Sequence, residues 1–132
     1  MHNITSPRTD DGAIEQQIKA KGLTAPRVTP AALDANIIDV LYFTAGEASV
    51  GQTLTPSDRP YVAYQAHKLL TFCVLTLSNG FTVTGESACA SPENFDAEIG
   101  RKIALENAKQ KIWPLMGYAL KESLTRVEHH PV

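Results

Sequence analysis

No stretch of this sequence stays apolar for long. Its longest such run, Leu69 to Leu77, contains two threonines and falls well short of the roughly 18 residues that a bilayer-spanning helix needs, so no membrane partner is expected. The first twenty residues carry Asp10, Asp11 and Glu15 and lack an apolar segment, which speaks against a secretory signal. Charge of one sign is also scarce. Twelve basic and fourteen acidic side chains leave a net charge of -2, whereas a duplex DNA or RNA binder usually shows a domain pI above about 9.

Cysteine is nearly absent too. Cys73 and Cys89 are the only thiols, too few for a disulfide scaffold and not spaced as CxxC. The four histidines, His2, His67, His129 and His130, stand outside any patterned region, so no metal site is expected. GxSxG, HExxH, P-loop and GxGxxG motifs are missing, and Cys73 lies mid-strand without an evident base. No catalytic residue and no cofactor is therefore expected, and the chain reads as a non-enzyme. What is present is ordinary globular composition: 132 residues, 43% hydrophobic and 20% charged, enough for one domain.

The local patterns give an α+β expectation: an antiparallel β-hairpin or small sheet packed against a long C-terminal helix, with short flanking helices. Residues 1–9 read as a disordered N-terminus, 10–43 as a helical N-terminal extension, 44–68 as a loop or insert, 69–127 as the α+β core and 128–132 as a tail. Asp10 or Asp11 can cap a first helix that ends at Gly22. Thr29-Pro30 pairs an N-cap with proline at the first helical position, and the spacing of Leu33, Ile37, Val40 and Leu41 predicts one helical stripe. Asn79-Gly80 between two apolar runs predicts a two-residue type I′ hairpin loop. That register places Leu70, Phe72, Val74, Phe81 and Val83 on the helix-covered face, and Cys73 and Cys89 on opposite faces, unable to form a bridge. Ser91-Pro92-Glu93 repeats the cap logic; alternatively the regular helix begins near Asp96. Gly100, Ala104, Ala108 and Ile112 then form a small-residue line that invites close packing, and Trp113-Pro114 breaks or kinks the helix.

Two places can hold an anion. The passage from Gly85 to Asn94 and Phe95 leads through small and hydroxyl residues into a helix N-terminus, where free N–H groups favour negative charge, and Arg101 two turns later adds a cation. The alternative is that Ser91, Glu93 and Asn94 only cap the helix. Arg27, just ahead of the Thr29-Pro30 helix start, is a second candidate; alternatively it is an ordinary solvated arginine. Phe81 and Phe95 offer aromatic faces for a base. The hairpin has two partly apolar faces and a free edge, while the helices supply few large apolar residues, so a homo-oligomer is expected.

Three segments in one order resemble a small phage and prophage family named after gene product 49 and gene 66 of two phages. They are Leu75-Thr76-Leu77-Ser78-Asn79-Gly80-Phe81-Thr82-Val83-Thr84-Gly85-Glu86-Ser87-Ala88-Cys89, then Asn94-Phe95-Asp96 with Ile99-Gly100-Arg101-Lys102-Ile103-Ala104, then Ile112-Trp113-Pro114-Leu115. Arg27-Val28-Thr29-Pro30 resembles the start of that family's N-terminal helix. More distantly, the chain is similar to the first described class of Thoeris anti-defence proteins, which sequester cyclic nucleotide immune signals without cleaving them. That resemblance implies a phage protein in the host cytoplasm, acting as a homo-oligomer with ligand pockets between subunits. Its partner would be a nucleotide second messenger. Phe81, Asn94 and Arg101 would come from one subunit and Arg27 from another. The alternative is an interaction module that contacts a host or virion protein through the sheet edge and the 44–68 loop.

Overall fold

The computed structural model describes residues 11–50 and 59–129. The expected disordered stretch 1–9, the middle of the expected loop (51–58) and residues 130–132 lie outside them. The elements run α1 (Asp11–Ala20), α2 (Pro30–Ala35), β1 (Ile37–Thr44), α3 (Ala45–Val50), α4 (Tyr61–His67), β2 (Leu70–Leu77), β3 (Thr82–Ala88), a 3-10 turn (Pro92–Asn94), α5 (Ala97–Gln110) and α6 (Ile112–His129). They form a three-stranded antiparallel sheet in the order β1-β2-β3, backed by a long, bent C-terminal helix, an α+β fold as expected.

The Thr29 cap forms as its sequence dictates: the hydroxyl accepts from the Ala32 N–H at 3.0 Å, with Pro30 in the first turn. The helix that follows is short. Expected as one helical extension over 10–43, the chain instead leaves α2 at Asn36 and runs on as β1. Ile37-Ile38-Asp39-Val40-Leu41-Tyr42-Phe43-Thr44 is dense in β-branched and aromatic residues, which fit a pleated surface better than a helix. The apolar spacing of Leu33, Ile37 and Leu41 matched a helical period by coincidence. A bulge at Ile38 then shifts the strand's register, and no sequence alternation announces it. The expected loop at 44–68 also contains structure, since α3 and α4 occupy both of its described ends.

The hairpin forms, one residue away from the expected register. Leu77 and Phe81 close it, with the Leu77 N–H donating to the Phe81 carbonyl at 2.8 Å and the Gly80 N–H to the Leu77 carbonyl at 2.8 Å. The loop is therefore Ser78-Asn79-Gly80, with only Gly80 at positive φ (+89°). Three-residue loops with glycine in the left-handed position are the next most common hairpin after the two-residue kind. Because side chains alternate, a one-residue slip exchanges faces. Val83 now lies opposite Leu75 and Gly85 opposite Cys73. The covered face is Thr71, Cys73, Leu75, Leu77, Val83, Gly85 and Ser87, and the expected face of Leu70, Phe72 and Val74 is the one left uncovered.

Alternation along β3 also brings Cys89 to the same side as Cys73, not the opposite one. The two thiols are buried and unbridged, because the Cys89 end of β3 lies beside Leu69, about 13 Å along the strand from Cys73.

One contact sets the distance between helix and sheet. α5 lies on β3 and β2 with Gly100, Ala104 and Ala108 buried. A Cβ at position 85 would collide with the Ala104 carbonyl oxygen and the Ala108 nitrogen and stand 2.9 Å from the Ala108 Cα. The helix backbone thus rests on the bare backbone of the strand. Around this contact Leu33, Cys73, Leu75, Leu77, Val83 and Ile112 complete the core, with Ile37, Tyr42, Leu105, Trp113 and Met116 packed at its margin. The chain breaks helix at Lys111, and Pro114 falls in the first turn of α6, where its missing N–H is not needed. α6 then continues to His129, two residues into the expected tail.

Gly85→Ala is expected to destabilise the fold by about 3 kcal/mol, because overpacking here meets backbone and cannot be relieved by a rotamer change. Thermal or urea unfolding measures it, and a melting point equal to that of the parent would show that α5 does not seat on this glycine.

Candidate functional site

The five residues singled out as ligand contacts do not converge within one chain. Phe81 ends the hairpin loop and is 55% exposed, at the end of the sheet where Ile37 pairs with Leu77. Arg27 belongs to the same end, since it lines a broad groove of about 670 Å³ with Asn36, Ser78, Asn79, Met116 and Leu120. Asn36 organises that end: its side-chain oxygen accepts from the Ser78 N–H at 3.2 Å and from the Ser78 hydroxyl. Asn94 and Phe95 close the 3-10 turn ahead of α5, past the far end of β3. Arg101 lies at that far end too, against Thr44 and Thr71. Seven strand steps, about 23 Å, separate Phe81 from Ala88.

The expected Ser91 cap does not form. Ser91 makes no side-chain cap hydrogen bond, and Asp96 caps α5, its carboxylate accepting from the Ile99 N–H at 3.0 Å. A carboxylate therefore already meets the positive end of the helix dipole, and an anion must be held here by side chains instead. Arg101 supplies one. It borders a cavity of about 110 Å³ with Tyr42, Phe43, Thr44, Glu47, Thr71 and Ala97. Thr71 is 2% exposed and its hydroxyl oxygen has no hydrogen-bond partner, an uncommon condition for a buried polar group. Burial raises the pKa of the Tyr42 hydroxyl, as does the Cys73 thiol, while Arg101 lowers it. Glu47 is committed to the start of α3, where its carboxylate accepts from the Thr44 N–H at 2.8 Å and its own N–H donates to the Thr44 hydroxyl at 3.1 Å. Nothing in the sequence marks Tyr42, Thr71 and Glu47 as neighbours of Arg101, because they come from β1, β2 and α3 and meet only when these elements pack together.

Arg27 is engaged. Its guanidinium grips the Glu15 carboxylate in a fork, at 2.6 and 2.8 Å, and this pair ties α1 to the start of α2. The hydrogen bond from Arg27 holds the Glu15 pKa below its ordinary value of 4.5, against the opposing effect of burial. Cys73 offers no nucleophile: burial pushes its thiol up to about 11. Among the described residues no group of three or more His, Cys, Asp or Glu is placed to hold a metal ion, and no helix is long and apolar enough to cross a membrane.

The sheet face away from α5 is apolar. Leu41 pairs with Val74 and Phe43 with Phe72 on the side away from α5, and the two phenylalanine rings stack at 5.2 Å. Leu41 on this face is 52% exposed; on the same outer strand Ile38, at the bulge, is exposed as well, and so is Val40, which lies opposite Leu75 on the α5 side.

Three segments of this surface and its supports, the hairpin, the small-residue helix and the Trp113-Pro114 turn, carry a known signature. The family model described as phage protein (N4 Gp49/phage Sf6 gene 66) matches residues 28–124. The chain belongs to this family. The match takes in α2, the whole sheet and α5 and leaves out α1, so the phage family's common body is the sheet with its covering helix. No curated protein and no solved structure matches the chain.

Two outcomes follow for this phage protein. Glu15 has a depressed pKa in the folded state, so its contribution to α1 docking is present above 4.5 and is lost as pH falls through the lowered value. Acidification should therefore release α1 before the sheet unfolds, seen as a change in Trp113 emission, since Trp113 lines the cleft beneath α1; Glu15→Gln should show that emission already at neutral pH. Cys73 should resist a thiol reagent at mildly alkaline pH and react only on unfolding, and rapid labelling of the native protein would contradict the burial.

Proposed function

We propose that this phage protein acts by binding, as a homo-oligomer in the host cytoplasm that holds a cyclic or ADP-ribose-type nucleotide immune signal between copies without turning it over. The observation that carries this reading is the apolar sheet face away from α5, where Leu41 is exposed beside Phe43, Phe72 and Val74 and which offers a seat for a second copy. An oligomer is needed to bring Phe81 and Arg27 of one chain toward Asn94, Phe95 and Arg101 of another, since within one chain they stand about a strand's length apart. Arg101 would take a phosphate together with the partnerless Thr71 hydroxyl, and an aromatic face would take a base, worth about 1–3 kcal/mol. The resemblance to signal-sequestering anti-defence proteins points the same way.

A second reading is favoured by the outer strand. β1 is an edge strand with Ile38, Val40 and Leu41 exposed, and such an edge also suits a host or virion protein that adds a strand or lays an apolar surface there.

Light scattering and calorimetry against a panel of nucleotide signals separate the two. On the first reading the particle exceeds 14.3 kDa, Leu41→Glu drives it toward monomer, and intact ligand is recovered after heat denaturation. Arg101→Ala should then weaken binding roughly 10- to 100-fold, the worth of a charge-assisted hydrogen bond, while leaving the fold intact. A monomer that binds no nucleotide but captures a defined phage or host protein through β1 supports the second. Cleaved nucleotide would overturn both.

A further inference from the structure

α1 buries none of its residues, yet it roofs a cleft. A cavity of about 260 Å³ lies beneath it, walled by Ile14, Ile18, Val28, Pro30 and Trp113, with Gln110 reaching it from the end of α5. A second cavity of about 340 Å³ shares Pro30 and Trp113, so the space continues past the indole. The Gln110 side-chain amide nitrogen is buried without a hydrogen-bond partner, a donor for which an apolar wall supplies no acceptor. Small-molecule sites have this composition: apolar and aromatic walls with a few fixed polar groups. Both cations that line this space are neutralised, Arg27 by Glu15 and Lys109 by Asp34, and Asp11 adds negative charge, so an anion is disfavoured. A primary amide beside an aromatic plane suits a flat ring with acceptor nitrogens on its edge, as glutamine reads adenine.

We propose that the cleft under α1 binds a neutral, flat heteroaromatic ring, its face on Trp113 and an edge acceptor on the Gln110 amide, with the Glu15–Arg27 pair latching α1 over it. The site is separate from the Arg101 end of the sheet and does not rest on the nucleotide-signal reading.

Trp113 is the only tryptophan in the chain, so its emission reports on this cleft alone. With free adenine as probe, the full chain should show saturable quenching. Gln110→Leu removes the amide and Gln110→Glu keeps its shape while replacing the donor. Each should weaken adenine roughly ten-fold or more, and the second variant serves if the first does not fold by circular dichroism. Arg101→Ala should leave the titration unchanged, which distinguishes this site from the proposed signal site. Cyclohexanol, of similar bulk but without a flat acceptor edge, should not displace adenine. Quenching that does not saturate, that is unchanged from the parent in both Gln110 variants, or that cyclohexanol reverses would overturn the proposal.

Discussion

The whole arrangement hangs on the absence of one Cβ. Gly85 lets the α5 backbone at Ala104 and Ala108 rest directly on β3, and this distance decides what else fits between helix and sheet. Larger residues on either side would lift α5, and Leu75, Cys73 and Ile112, which are fully buried, would lose the dense contact that stabilises them. The Lys109 to Asp34 ion pair at 2.8 Å is half exposed, ties α5 to α2 and adds little by comparison. The small-residue line Gly100, Ala104, Ala108 on the helix and the glycine on the strand are two halves of a single packing device.

Placing the helix so close to one side leaves the other side apolar. α5 covers one face of the three-stranded sheet; on the other, Leu41 is exposed beside the partly buried Phe43, Phe72 and Val74, with α3 against β1 and β2. The same geometry separates the sheet's two ends by about the length of a strand. Arg27 and Phe81 therefore stand at one end, and Asn94, Phe95 and Arg101 at the other. Any site that uses all five must be made by more than one chain.

α1 follows a different logic. It lies outside the part of the chain that matches the phage family, buries no residue and is held chiefly by the Glu15–Arg27 fork. The consequence is a cleft around Trp113 whose roof is held by charge, while its floor is part of the core. Local attachments of this kind open at far lower cost than a sheet whose central strand is paired on both edges and packed under a helix.

The sequence by itself determined the elements whose signals are local. Thr29-Pro30 capped its helix, Asn79-Gly80 marked a hairpin, the line Gly100-Ala104-Ala108-Ile112 turned inward, and the break near Trp113-Pro114 held, because caps, turns and helical periodicity act within a few residues. The α+β class was legible for the same reason. Tertiary structure alone decided the rest. Whether the hairpin loop has two residues or three is a small local difference, yet it chose which face α5 covers, and Gly85 beneath α5 settled it. The apolar spacing of residues 37–44 read as a helical stripe in sequence; pairing with β2 made them a strand. Arg27 and Arg101 were visible as cations, but their partners Glu15, Thr71 and Tyr42 were not, because side chains 12 to 59 residues away in sequence become neighbours only when the sheet and its helices close together.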